Sequence, residues 1–128
     1  MPELKNTFPK AEHLCGKTAI DKLYAEGKSF LSYPVRVVFR ISEKGEVPVR
    51  CLINAPKKKF KHATDRNRIK RQIREAYRKN KHELYRLLDE KDYQLHVSIT
   101  YIGDKIEPTA FVEKKIKAAL TKLIEQLV

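Results

Sequence analysis

The sequence contains no tryptophan, one methionine, two cysteines and four glycines in 128 residues. Two cysteines, Cys15 and Cys51, exclude a disulfide-dense scaffold, and they share no metal-type spacing. They read as two buried free thiols, with a single disulfide as the alternative. None of the glycines falls in the basic stretch Lys57–Lys59, which excludes a glycine-rich phosphate loop there. The N-terminal residues lack the apolar run of a secretory signal, and no run approaches the ~20 residues of a membrane span. The chain is therefore expected in the cytoplasm, without a membrane partner. A basic membrane-surface protein would want a broad, bulky apolar helix face or a lipid signal, and neither stands out.

Acids are scarce as well: 16 Asp and Glu stand against 28 Lys and Arg, for a net charge of +12. Protein-borne hydrolysis of a phosphodiester usually needs clustered carboxylates holding two metals, or paired histidines. The four histidines, His13, His62, His82 and His96, are scattered, and no H-x-x-x-H or D-x-D pattern occurs. The chain is expected to carry no catalytic residue and no metal site of its own.

What the sequence does have is concentrated. The window Lys57–His82 holds twelve Lys or Arg and only two acids, Asp65 and Glu75, so ten of the twelve net charges lie in it. Such a density repels itself unless a polyanion neutralises it, and nucleic acid is the common one.

Around this window the chain reads as one RNA-binding domain, residues 1–128, with 1–16 as a loosely held arm anchored by Phe8 and Leu14. Lys17–Glu26 has the period of a short helix stopped by Gly27. Ser29–Ile41 is rich in β-formers, with Arg36, Val38 and Arg40 on one strand face. Val47–Asn54 reads as another strand. A helix starts near Arg66, with Thr64 and Asp65 as competing N-caps, and runs to Lys81 or as far as Leu88. Tyr93, Leu95, Val97, Ile99 and Tyr101 alternate with Gln94, His96, Ser98 and Thr100, the pattern of a strand with one apolar face. His96 on the polar face is a candidate RNA contact. A last helix begins near Pro108 or Thr109. The predicted fold is α+β, a small sheet of about four strands with helices packed on it, in the order α-β-β-β-α-β-α.

The basic helix has a clear orientation. At 100° per residue, Ile69, Ile73, Ala76 and Tyr77 form its inner stripe. Asn67, Arg71, Arg74 and Arg78 form an outward ridge, flanked by Arg68 and Lys70. Arg suits phosphate because its planar fork donates two parallel hydrogen bonds. Asn67 can serve a ribose hydroxyl, a base edge or its own loop. An ordinary solvated face would alternate acids with bases, and here Glu75 is almost alone.

At these residues the chain resembles the bacterial ribonuclease P protein family, marked by an R-N-R-x-K-R-x-x-R-E helix. Arg66, Asn67, Arg68, Lys70, Arg71, Arg74 and Glu75 match every defined position. The lysine pair Lys58 and Lys59, the Ile20–Tyr24–Gly27 spacing and the Asp92-Tyr93 pair also correspond. Ile20 replaces an aromatic, and Lys61-His62 replaces the usual Gly-Asn.

The resemblance implies a protein subunit of a ribonucleoprotein that matures the 5′ end of precursor tRNA. Its partners would be a catalytic RNA subunit, which would bind the Mg2+, and precursor tRNA itself. Taken with the basic loop and helix, the expected RNA-binding set is Lys58, Lys59, Lys61, Arg66, Asn67, Arg68, Lys70, Arg71, Arg74 and Arg78. A cleft for the unpaired 5′ leader, which needs aromatic faces and nearby cations, would draw on Ile20, Tyr24, Tyr33, Arg36, Val38 and Arg40, with Phe30 next. Core packing is the competing role for Tyr24 and Val38. A left-handed β-α-β crossover is also implied, against the right-handed default. The competing function is a non-enzymatic RNA-binding protein, such as a ribosomal protein. A helix-in-groove DNA regulator is disfavoured, because basic loop and strand precede Arg66 where a first helix is required.

Overall fold

The strand with the cleanest alternation becomes the centre of the fold. A computed structural model describes residues 8–128. Helix α1 spans Lys17–Glu26, and strands β1, β2 and β3 span Lys28–Ser32, Val35–Glu43 and Val49–Asn54. Helices α2 and α3 span Ala63–Asn80 and His82–Asp89, β4 is Tyr93–Tyr101, and α4 is Thr109–Leu127. The sheet order is β1-β2-β4-β3. β1 and β4 both pair with β2 antiparallel, whereas β3 lies parallel to β4 and reaches it through α2 and α3. This is the α+β architecture expected from the sequence.

The apolar face of β4 carries Leu95, Val97, Ile99 and Tyr101, all buried. Val35, Val37 and Phe39 of β2 continue that face. Ile69, Ile73, Ala76 and Tyr77 of α2 close over it, as the helical period requires, together with α3 and α4. Each large side chain so buried contributes roughly 1.5–3 kcal/mol. The other face of the sheet carries a smaller cluster in which Leu14 and Leu23 pack on Val38. Helix α1 thus lies across that second face.

The three strands expected before the basic helix are all present, and other expectations change at the joins. The β-rich stretch 29–41 is two strands, split by a tight turn through the cis Tyr33–Pro34 peptide. Helix α2 begins at Ala63, so Thr64 and Asp65 lie within its first turn, and the N-cap His62 makes no side-chain cap bond. It ends at Asn80, because the next residue, Lys81, is drawn inward to a buried carboxylate, that of Glu12 (2.7 Å). The expected arm, residues 1–16, is fixed where it is described; residues 1–7 lie outside the described part. Phe8 packs edge-on against Tyr77, Glu12 receives Lys81 and the Tyr85 hydroxyl, and the Leu14 N–H donates to Cys51 O (3.0 Å). Both thiols are free, but only Cys51 is buried; Cys15 is exposed.

Candidate nucleic-acid interface

The amphipathic order of α2 sets out the first surface. With Ile69, Ile73, Ala76 and Tyr77 committed to the core, the same period turns Asn67, Arg68, Arg71 and Arg74 to solvent. Lys70 and Arg78 sit half-buried beside them. Among the described residues, no salt bridge engages Arg68, Lys70, Arg71 or Arg74. Arg78 instead holds Glu75 one turn away (2.5 Å). That hydrogen bond, with the fields of Arg78, Lys79 and Arg71, keeps the Glu75 carboxyl below the usual carboxylate range. The motif's one acid is thereby held charged and turned to a neighbour on its own helix.

Other members of the predicted basic set are already occupied. Arg66 Nη1 donates to the carbonyls of Phe60 (2.8 Å) and Lys61 (2.9 Å), so this guanidinium clamps the basic loop onto the helix start. Lys59 Nζ donates to Ile102 O (3.0 Å) and Asp104 Oδ1 (2.9 Å), tying the loop to the end of β4. Phe60, in the middle of the lysine run, is buried edge-on against Tyr101. Anchored at these points, the loop presents Lys58 and Lys61 to solvent beside α2. Gln72 was missed by the sequence reading. It is buried, and its amide donates to Glu107 O (3.0 Å) and Thr109 Oγ1 (3.1 Å), fixing α2 against the start of α4. A lone amide on the inner flank of an arginine-rich helix was the available signal.

The second surface is a groove between α1 and the open face of the sheet. Its volume is about 530 Å³, and Tyr24, Arg36, Val38, Asn54, Thr100 and Ile102 line it. The Tyr24 hydroxyl bonds to Ser98 Oγ (2.6 Å), while 47% of the residue remains exposed. Tyr24 is therefore tethered at its tip with its ring open to the groove, and an unpaired base could stack on it. Arg36, exposed at the rim, supplies a cation.

Of the six predicted cleft residues, the fold brings Tyr24, Arg36 and Val38 together. Ile20 packs sideways into the small apolar cluster with Leu14, Leu23 and Val38. Tyr33 is exposed in the β1–β2 turn and does not line the groove. Arg40 lies on the opposite flank of α1, paired with Glu26 (2.9 Å). Phe30 packs on Phe39 at the core face. His96, expected on an exposed polar face, is buried because α1 and its neighbouring strands enclose the middle of β4.

The match to known proteins spans both surfaces. A sequence model of the ribonuclease P protein family, described as Ribonuclease P, matches residues 8–125. The chain belongs to the ribonuclease P protein family. The ribonuclease P protein component of Porphyromonas gingivalis (strain W83) is 35% identical over 115 residues, covering 89% of this chain and 84% of that protein. The corresponding protein of Chlorobaculum tepidum is 35% identical over 104 residues, covering 75% and 68%. Solved structures share the fold. The RNase P protein of Thermotoga maritima superposes with a TM-score of 0.67 at 23% identity, covering 87% of this chain and 96% of that one. The Staphylococcus aureus RNase P protein gives 0.65 at 20% identity, covering 89% and 96%. The chain is thus a protein component of ribonuclease P, a ribonucleoprotein of tRNA processing, and the alternative of a ribosomal protein falls away. No helix among the described residues is long and apolar enough to cross a membrane.

Proposed function

We propose that this chain divides two RNA partners between its two surfaces. The ridge of α2 and the adjoining Lys58 and Lys61 bind the phosphates of the catalytic RNA subunit. The groove under Tyr24 takes the single-stranded 5′ leader of precursor tRNA, so that the ribonucleoprotein hydrolyses the phosphodiester at the tRNA 5′ end. The observation that carries this reading is the separation of functions in the geometry. The α2 cations stand on a helix with no aromatic face exposed beside them, which suits a helical RNA backbone. The groove offers a tethered aromatic ring beside an arginine, which suits unpaired bases.

The described residues hold no group of three His, Cys, Asp or Glu side chains placed to share a metal ion. The donor set does not fit a protein-borne magnesium centre, and Mg2+ belongs with the catalytic RNA subunit. The protein's contribution is to bind, orient and retain the substrate, in the cytoplasm where precursor tRNA is met.

The experiment is a comparison of variants in the reconstituted holoenzyme. Tyr24→Ala should weaken capture of leader-bearing precursor tRNA by about 1–3 kcal/mol, the worth of one base–aromatic stack, and leave binding of mature tRNA unchanged. Tyr24→Phe keeps the ring and should keep most of the discrimination. Arg74→Ala should impair assembly with the RNA subunit and spare the ratio of leader-bearing to mature tRNA. An unaltered ratio in a folded Tyr24→Ala protein would show that Tyr24 is structural. RNA-free protein should not cleave precursor tRNA.

A further inference from the structure

Helix α1 does more than wall one groove. The register of the sheet places residues of the open face in rows: Arg36, Thr100 and Asn54; then Val38, Ser98 and Leu52; then Arg40, His96 and Arg50. Helix α1 covers the middle row, through Leu23 on Val38 and the Tyr24–Ser98 bond. The first row lies open on one flank of the helix, in the groove already described. The third row lies on the other flank, where a second groove of about 540 Å³ is lined by Thr18, Lys22, Arg40, Ser42, Glu43 and His96.

This third row is chemically unusual. Two arginines flank a histidine across three neighbouring strands, and the histidine is only 8% exposed. The Gln94 amide nitrogen donates to Val47 O (2.9 Å), which turns Gln94 Oε1 toward His96 Nε2 (2.9 Å). His96 Nε2 therefore carries the proton, and Nδ1 is the unprotonated nitrogen. Nδ1 is buried and has no hydrogen-bond partner; nor does the buried Nε of Arg50. Buried polar atoms are normally satisfied, and of these two residues it is His96 that lines the second groove. The charges facing the ring are Arg40 from β2 and Arg50 from β3, with Lys22 of α1 and Glu43 lining the same groove and Glu26 held by Arg40. Burial, with the fields of Arg40 and Arg50, holds His96 below its ordinary range and favours the neutral ring.

We propose that this second groove, on the α1 flank away from Tyr24, is a phosphate-binding site built on Lys22, Arg40 and His96. The Thr18 and Ser42 hydroxyls are available as neutral donors, and Lys22 and Arg40 supply the charge. A phosphate placed there offsets the field of the arginines, so His96 gains a proton at Nδ1 as the anion binds. The phosphate can come from an RNA strand or from a free nucleotide, since both present the same oxygens. The site stands apart from the leader reading, because none of its three residues lines the Tyr24 groove.

The test follows the His96 ring by NMR in the full chain while adding inorganic phosphate, a nucleoside 5′-monophosphate, or a short single-stranded RNA without terminal phosphate. The expected result is a shift of the His96 ring signals and a rise of its pKa at saturation. Lys22→Gln should lower affinity for the responding probe about fivefold and, for RNA, remove about 0.7 from the salt slope. Lys22 is exposed, so this variant leaves the core untouched. The His96 response should persist in Tyr24→Ala, which separates this site from the first groove. A response to RNA identifies strand phosphates; a response to phosphate and mononucleotide alone identifies the free form. If His96 is unmoved by all three probes at millimolar concentration, or Lys22→Gln binds the responding probe as the parent does, the site does not exist.

Discussion

The buried pair between Glu12 and Lys81 should be acutely sensitive to a single substitution. Lys81 Nζ lies 2.7 Å from Glu12 Oε1, and the two side chains are 3% and 10% exposed for Lys81 and Glu12 respectively. The Tyr85 hydroxyl also donates to this carboxylate and bonds to the Tyr77 hydroxyl (2.9 Å). Lys81→Met preserves the aliphatic stem but leaves the carboxylate with Tyr85 alone. Removing one partner of a buried pair costs about 3–5 kcal/mol, because the remaining charge stays desolvated. Domains of this kind are stable by about 5–15 kcal/mol, so roughly a fifth or more of the total is at stake. With about 2.1 cal/mol/K of unfolding entropy per residue, that loss lowers Tm by roughly 10–20 °C. Glu12→Leu should also destabilise, because it removes the carboxylate that Lys81 Nζ faces at 2.7 Å. Replacing both, Glu12→Leu with Lys81→Met, should recover much of the loss, since apolar pairs of similar volume substitute well for buried ions. Urea melts of the four proteins close the cycle. Losses under about 1 kcal/mol in both single variants, or a double variant equal to the sum of the singles, would refute the view that this pair is desolvated and coupled.

The six exposed or half-exposed cations Lys58, Lys61, Arg68, Lys70, Arg71 and Arg74 should give RNA binding a log–log salt slope of roughly −4 to −5, and Arg71→Ala or Arg74→Ala should each flatten it by about one; a slope near zero would contradict phosphate contact. A thiol reagent should label Cys15 promptly in the native protein, and Cys51 only on unfolding, since burial raises the Cys51 thiol far above its ordinary range; prompt double labelling would show that β3 is open. Gly27→Ala should destabilise by about 1–3 kcal/mol, because a Cβ there would meet Leu23 O at 2.4 Å and Phe39 O at 2.9 Å; a denaturant midpoint equal to the parent's would show that α1 is free to move off β2.

Elements with an unambiguous period are legible in the sequence. Lys17–Glu26 matches α1 at both ends, and the apolar stripe of the last helix is the buried side of α4, with Val112, Ile116, Ala119, Leu120 and Leu123 enclosed. The outward ridge of α2 follows from Ile69, Ile73, Ala76 and Tyr77 having only one place to go. What a period cannot express is a long-range polar partner. Nothing near Lys81 predicts that a carboxylate 69 residues away will draw it inward and end the helix. The structural roles of Lys59 and Arg66 are likewise invisible in sequence, because the Ile102, Phe60 and Lys61 carbonyls they bind are backbone atoms that sequence does not distinguish.

The candidate sites show the same limit at the level of topology. Arg36, Val38 and Arg40 share one face of β2 by simple alternation, and sequence gives no reason to assign them to different sites. The separation depends on where α1 crosses. Gly27 lets the helix end close against β2, and Leu23 seats it on Val38. The tether from Tyr24 to Ser98 then fixes which row is covered. Arg36 is left on one flank with the aromatic ring, and Arg40 on the other with His96. The two grooves proposed for base stacking and for phosphate therefore draw on a single alternating strand, and the position of one ten-residue helix decides which arginine lines which.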